Sequence, residues 1–455
     1  MRPRFFFIVL VALAVFVRLG ALLLTLGHVG VEAIVYSDSI DYLKLASSLY
    51  SGDGFVRTWD GMGDTLVPET FRTPGLPLLL APFSPYGEKG LVAYAALLAV
   101  ISGVLLPLLT YAVGKRLVPE AGARIAAALV AFEPHLVFFS FVLLTEIPFT
   151  LCMLGGFLLV LKAAERNAAP LAIVGGALLG YSILIRPGFF PVFLLSGIGT
   201  LGVLFFLKDW GRLRVVALTC SAVLVLLAPW AARMHEVTGV VALSGAGWRN
   251  VYTDYVASVR AVEKKTAFHE EKAILEARVG ELGFSRVELN SPVSASALRS
   301  FSLDELWEHR GTVLKLESAL LASFFLHDGY FYEFIRFGFL TERGEGHIPV
   351  TFTLLSRGVA GVPAIFEELA RQRFIPVLGR LFTLMIFVGM VFGFAVTRDR
   401  LRFLLAGVII LSAIAATAIG LGVESRSRLP FEPFMFIFTG AAVAYIMNRT
   451  QRHAS

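Results

Sequence analysis

The amino-acid sequence predicts an all-α polytopic membrane protein. It has about ten transmembrane helices, interfacial helices in its first outer loop and a mixed extracytoplasmic segment between the seventh and eighth helices. Three observations predict this. Of 455 residues, 56% are hydrophobic and only 16% are charged, whereas soluble globular domains carry about 25% charged residues. Mean hydropathy is +0.75. Apolar runs close to the ~20 residues that cross a bilayer recur near 5–26, 90–113, 124–143, 147–164, 170–186, 189–207, 214–232, 376–396, 403–420 and 431–447. The net charge of +6 does not indicate a nucleic-acid partner, because Lys and Arg sit in short clusters between the apolar runs, as membrane topology demands.

Taken in order, residues 5–26 follow Arg2 and Arg4 and resemble a signal peptide. The run is long for a signal h-region and no small-x-small cleavage site follows, so it reads as a retained first helix. Alternate connections then collect the basic residues: Lys115, Arg116 and Arg124, then Lys162 and Arg166, then Lys208, Arg212 and Arg214, then Arg398, Arg400 and Arg402. The short connections of the opposite side, near 144–146 and 187–188, hold none. The positive-inside rule therefore places both termini in the cytoplasm of a plasma (inner) membrane protein. Residues 1–232 form seven helices with an outer loop at 27–89, 233–375 form a second outer segment, and 376–455 supply the last three helices and a cytoplasmic tail.

In the first outer loop, SDSIDYLKLASSLYSGDG carries apolar residues at helical spacing, with Ser37 as N-cap and Gly52 as stop. The proline-rich TFRTPGLPLLLAPFSP that follows reads as interfacial. In the second segment, 259–282 and 303–325 read as helix and 345–375 as mixed. Cys152 and Cys220 lie inside apolar runs, so there is no disulfide framework.

Ionisable groups at the mouth of an apolar bundle are expensive to keep and are functional candidates by default. Asp38 and Asp41 in YSDSIDY fall on one helical face, where one carboxylate would act as general base towards an acceptor hydroxyl. The plainer alternative is a helix-start acid beside a solvated one. Glu69 and Arg72 precede the rigid Pro74–Gly75 turn, and Arg72 suits a bidentate phosphate contact. Glu146 opens the fourth helix in an apolar junction and wants a cation. Arg186 and Arg233 end helices on the same side, suited to an anionic lipid head group or simply snorkelling to it. Arg426 and Arg428, beside Glu424 and Glu432, oppose the positive-inside bias and, with Arg186, are further candidates for the donor phosphate. His135, beside Glu133, reads as a packing residue rather than a ligand, and Arg18 as internally paired or snorkelling. No histidine cluster suggests zinc, although Asp38, Asp41, Glu69 and Glu146 would in principle assemble an oxygen site for a divalent metal ion.

The ordered series YSDSIDYLKLASSLYSGDGF, FRTPGLPLLLAPF, LLTEIPF, LIRPG, APWAARMHEVTGVVALSGAGWRN and SRSRLPFEP resembles the GT-C membrane glycosyltransferases, in the branch of the protein O-mannosyltransferases and the lipid A aminoarabinose transferase. The resemblance covers most of the first 250 residues and the last 40, and leaves 255–375 unmatched. It implies inverting transfer of a sugar from a polyprenyl-phosphate donor to a lipid, glycan or protein acceptor on the extracytoplasmic face. It implies Asp38 as base with Asp41 the weaker candidate, Glu146 as second acid, and Arg72 and Arg233 on the donor phosphate. The rival class is a transporter or lipid flippase for a lipid-linked saccharide. Such proteins show internal repeats and broken helices carrying acids at mid-membrane, whereas the acids here gather on one face.

Overall fold

The computed structural model describes residues 3–59, 65–281, 283–327, 329–340, 353, 357–371, 374–422 and 425–454. Arg2, Glu424 and most of the stretch 341–356 lie outside the described residues. In the first half the elements are α1 (Pro3–His28), α2 (Ser37–Ser51), β1 (Val56–Arg57), β2 (Val67–Pro68), α3 (Gly75–Leu80), α4 (Gly87–Gly114), α5 (Glu120–Phe132), α6 (Pro134–Phe138), α7 (Glu146–Arg166), α8 (Ala169–Ile185), α9 (Phe190–Phe206) and α10 (Trp210–Thr238). Residues 233–375 contribute α11 (Ala246–Asn250), α12 (Ala257–Lys264), α13 (Phe268–Glu281), α14 (Arg286–Leu289), α15 (Ala295–Glu308), α16 (Arg310–Leu326), α17 (Tyr330–Arg336) and α18 (Val362–Arg371). The chain closes with α19 (Ile375–Val396), α20 (Leu401–Thr417), α21 (Ser425–Arg428) and α22 (Glu432–Ala454). Among the described residues the sole sheet is the antiparallel pair β1–β2.

The protein is a multi-pass, all-α membrane protein. Among the described residues, seven helical stretches are long and apolar enough to cross a membrane: Arg4–His28, Gly75–Gly114, Glu146–Arg166, Pro187–Phe206, Trp210–Thr238, Ile375–Val396 and Ser425–Gln451. An eighth is the pair Glu120–Phe132 and Pro134–Phe141, bent by 57°, and the shorter apolar helices Ala169–Ile185 and Leu401–Thr417 complete the set. These fall on the ten predicted runs. Helix α22 is the most buried of the spans and packs against α5 and α19. Gly122 and Gly440 face each other where α5 meets α22, each with its Cβ position against the other's carbonyl, the close approach that small residues permit between membrane helices.

Three local features depart from the sequence expectations. The third run, 124–143, is not one straight helix. Pro134 disfavours helical backbone at the residue before it, Glu133 is extended (φ −58, ψ 126), and its carboxylate accepts the Leu136 N–H at 2.6 Å as N-cap of α6. The carbonyls freed at the end of α5 go to Arg18, whose guanidinium donates to Ala131 O at 2.7 Å and Val130 O at 3.1 Å. The N-cap of α2 is Tyr36 rather than Ser37: Ser39 Oγ accepts the Tyr36 N–H and donates to Leu143 O, docking α2 beside the junction before α7. Gly52 ends α2 as expected, in the left-handed region at φ 86. Within 233–375 the described residues are helices and turns, with 259–282 split at Lys265 (φ 57) and a small apolar core of their own around Tyr252, Leu275 and Leu298.

Candidate active site: an ion-paired pocket at the mouth of the bundle

Several loops and helix ends converge on one cavity of about 1210 Å³, lined by Asp38, Asp41, Arg57 and Arg72 from the stretch between α1 and α3 and by Arg186 and Arg426 from the bundle. Helix α2 sets the first side. Asp38 and Asp41 lie one turn apart, and the turn 69–74 brings Arg72 across them. The Glu69 carboxylate shapes that turn by accepting the backbone N–H of Phe71 at 2.5 Å and of Arg72 at 2.9 Å. Just beyond, Gly75 seats α3 on α8: a Cβ there would stand 2.6 Å from the backbone of Leu184 and Ile185, and Tyr181 donates its hydroxyl to Gly75 O. Arg72 is thereby held near the end of α8, which Arg186 follows.

The charges alternate. Arg72 donates to Asp38 Oδ1 at 2.9 Å and to Asp41 Oδ2 at 3.1 Å. Arg57 bridges Asp41, at 2.5 Å, and the fully buried Glu69, while lying over the Trp59 ring at 3.9 Å. Arg426 donates to Asp38 Oδ2 at 2.8 Å and to Glu146 Oε1 at 2.6 Å, and Arg186 approaches the same Glu146 oxygen at 3.4 Å. Four carboxylates thus interleave with four guanidiniums. Burial by itself would raise the Asp38 carboxyl, but the flanking Arg72 and Arg426 outweigh it and hold it down from 3.8 to about 2. Arg72 is pushed above its ordinary value: burial opposes this, and Tyr42, Asp38 and Asp41 prevail.

Asp38, Asp41, Glu69, Glu146, Arg72, Arg186 and Arg426 therefore come together, although Glu69 and Glu146 lie beneath the wall rather than on it. Two arginines expected on a phosphate do not. Arg233 donates to Glu69 O at 2.9 Å and Phe55 O at 2.8 Å and stands over Trp230, tying the stretch between α2 and α3 to the end of α10. Arg428 is 2% exposed and spends its donors on Glu432 and on the carbonyls of Phe324, Phe325 and His327 that end α16. In both, backbone acceptors have consumed the guanidinium. The residue that sequence reasoning missed is Arg57. Its only signal is the alternation of a two-residue strand, too short to register as a period.

The acids proposed for an oxygen-ligand metal site each face a guanidinium instead. Among the described residues, the group whose ligand atoms gather within reach of one ion is Glu133, His135 and Glu432, each offering one atom within 4.8 Å of the others. His135, expected to be packing, is fully buried and stacks on Tyr330 with centroids 4.4 Å apart.

No family model matches the chain, and no curated protein matches it. Among solved structures it is similar to the archaeal oligosaccharyltransferase AglB from Archaeoglobus fulgidus in complex with an inhibitory peptide and a dolichol-phosphate. That likeness has a TM-score of 0.49 and 14% identity over 97% of this chain and 51% of that one. It is also similar to the Archaeoglobus fulgidus oligosaccharyltransferase tethered with an acceptor peptide containing the NVT sequon (TM-score 0.49, 14% identity, 97% of this chain, 50% of that one). The apo form of that enzyme gives a TM-score of 0.48 at 14% identity, over 97% and 51% of the two chains. The chain spans about half the length of the solved structures it matches.

Proposed function

We propose that the protein is an inverting glycosyltransferase of the GT-C superfamily. It moves a sugar from a polyprenyl-phosphate donor to a hydroxyl of a lipid, glycan or protein acceptor on the extracytoplasmic face, with both termini in the cytoplasm. The observation that carries this reading is Asp38, an ionised carboxylate gripped by Arg72 and Arg426 in a cavity at the mouth of an apolar bundle. A phosphodiester is already a competent leaving group, so the chemistry asks for a proton acceptor and for cations where negative charge develops. The acceptor oxygen attacks the anomeric carbon, the bond from that carbon to the phosphate oxygen breaks, Asp38 takes the acceptor proton, and polyprenyl phosphate leaves between Arg72, Arg186 and Arg426. Because carboxylates already occupy these guanidiniums, a donor phosphate enters only by drawing Arg72 and Arg426 off Asp38, and that release restores basicity to a group otherwise held near 2. Glu146 anchors Arg426 and Arg186, and Asp41 orients Arg72.

The test uses membranes carrying the full chain, supplied with radiolabelled polyprenyl-phosphate hexoses. Wild type is expected to transfer the label. Asp38→Asn is expected to do so at least about a hundredfold more slowly, while accumulating and melting as wild type does. Transfer by Asp38→Asn at the wild-type rate sinks the assignment.

A further inference from the structure

The geometry points to a buried divalent-metal site formed by Glu133, His135 and Glu432, with zinc the ion its donors suit best. The three ligands come from separate places: the break between α5 and α6, the first turn of α6, and the first residue of α22. In each, one atom is tied down and another is left facing the common centre. Glu133 Oε2 accepts the Leu136 N–H at 2.6 Å, while Oε1, which also accepts the Tyr330 hydroxyl at 2.8 Å, faces His135. His135 Nε2 lies 3.3 Å from Ser425 Oγ, and Nδ1 is left over. Glu432 Oε1 accepts from Arg428 Nε at 3.0 Å, and Oε2 is left over. Fixing a ligand's far atom so that its near atom is aimed is how metal sites are supported.

Two of the aimed atoms, His135 Nδ1 and Glu432 Oε2, are buried without a hydrogen-bond partner among the described residues. Such orphans are costly, and they carry the inference. His135 Nδ1 and Glu133 Oε1 are 3.3 Å apart; in the tautomer whose proton sits on Nε2, towards Ser425, both present lone pairs to one another and something positive belongs between them. A proton on Nδ1 would serve those two atoms and leave Glu432 Oε2 bare, whereas an ion serves all three. The 3.3 Å separation is also the edge of a tetrahedron with metal–ligand bonds of about 2.0–2.1 Å. One imidazole nitrogen with two carboxylates is a zinc donor set, and Arg428 already balances one of the two negative charges. The ion would join the bent α5–α6 pair to the start of α22, one turn from the segment that presents Arg426 to the pocket. Its role is to hold that segment in place.

The test needs no substrate. The full chain is purified in detergent without added metal and its metal content measured. About one equivalent of zinc per chain is expected, with X-ray absorption at the zinc edge showing a nitrogen and oxygens near 2.0–2.1 Å. Glu432→Gln and His135→Asn are expected to lose the equivalent. A chelator should lower the melting temperature of wild type, and zinc alone should restore it. Should a variant fail to fold, the absorption spectrum and chelator response of wild type decide. Folded wild type without stoichiometric metal and with a melting temperature indifferent to zinc overturns the proposal, as does zinc content unchanged in both variants.

Discussion

Arg426 and Arg428 stand two residues apart on the same short helix and meet opposite surroundings. Arg426 looks into the solvent-reached cavity and holds two carboxylates, Asp38 and Glu146, from separate elements. Arg428 looks into the packed interior and holds one carboxylate and three main-chain carbonyls. The pairing with the partly exposed Asp38 is exchangeable, because an arriving anion can replace that carboxylate at little desolvation cost while the buried Glu146 keeps its hold on Arg426. The pairing in the interior is not, since every partner there was stripped of water when the chain folded and has no substitute. What separates a binding arginine from a structural one is therefore whether its acceptors can leave.

Breaking the interior side should have the largest effect. Arg428→Met strips the buried Glu432 Oε1 of its donor and bares the end of α16, and is expected to cost about 3–5 kcal/mol of stability, measured by SDS titration of the reconstituted protein. Stability unchanged within about 1 kcal/mol would erase the distinction drawn between the two arginines. Breaking the cavity side should spare the fold. Arg426→Gln is expected to lower kcat about a hundredfold or more with the unfolding midpoint near wild type. It should also move the acid limb of the rate profile. The Asp38 carboxyl is depressed in the folded protein, so its ion pairs contribute fully above its ordinary 3.8 and fade as pH falls through about 2. The acid limb of wild-type kcat/KM should therefore lie near 2, and that of Arg426→Gln should rise towards 3.8. A limb that stays put means Arg426 does not set the ionisation of Asp38. The smallest effect sharpens the comparison from within the cavity. Arg57→Lys keeps a charge between Asp41 and Glu69 but loses the planar fork that spans both. Donor KM is expected to rise about tenfold with kcat nearly constant, and a collapse of kcat instead would make Arg57 a direct partner of the reacting groups.

Hydropathy located the helices because crossing a bilayer demands a long apolar run wherever it occurs, and even the shorter α8 and α20 lie on predicted runs. It could not see the bend at Glu133, which arises from one proline acting on one preceding residue. Apart from Arg57, the acids and arginines of the cavity stand out because charge is anomalous beside apolar sequence. That same test cannot separate Arg72 from Arg233, or Arg426 from Arg428, since the difference lies in which carbonyls approach from residues far along the chain. Nor does any local spacing relate His135 to Glu432, which follows nearly three hundred residues later.

The contact at Gly75 leaves room for a hydrogen atom and nothing larger between the loop bearing Arg72 and the end of the helix before Arg186. The gap across which those two cations would clasp a phosphate is thus a hard stop rather than a spring. Evolution can lengthen the loops around it, but even one added methyl at this position would prise the clasp open.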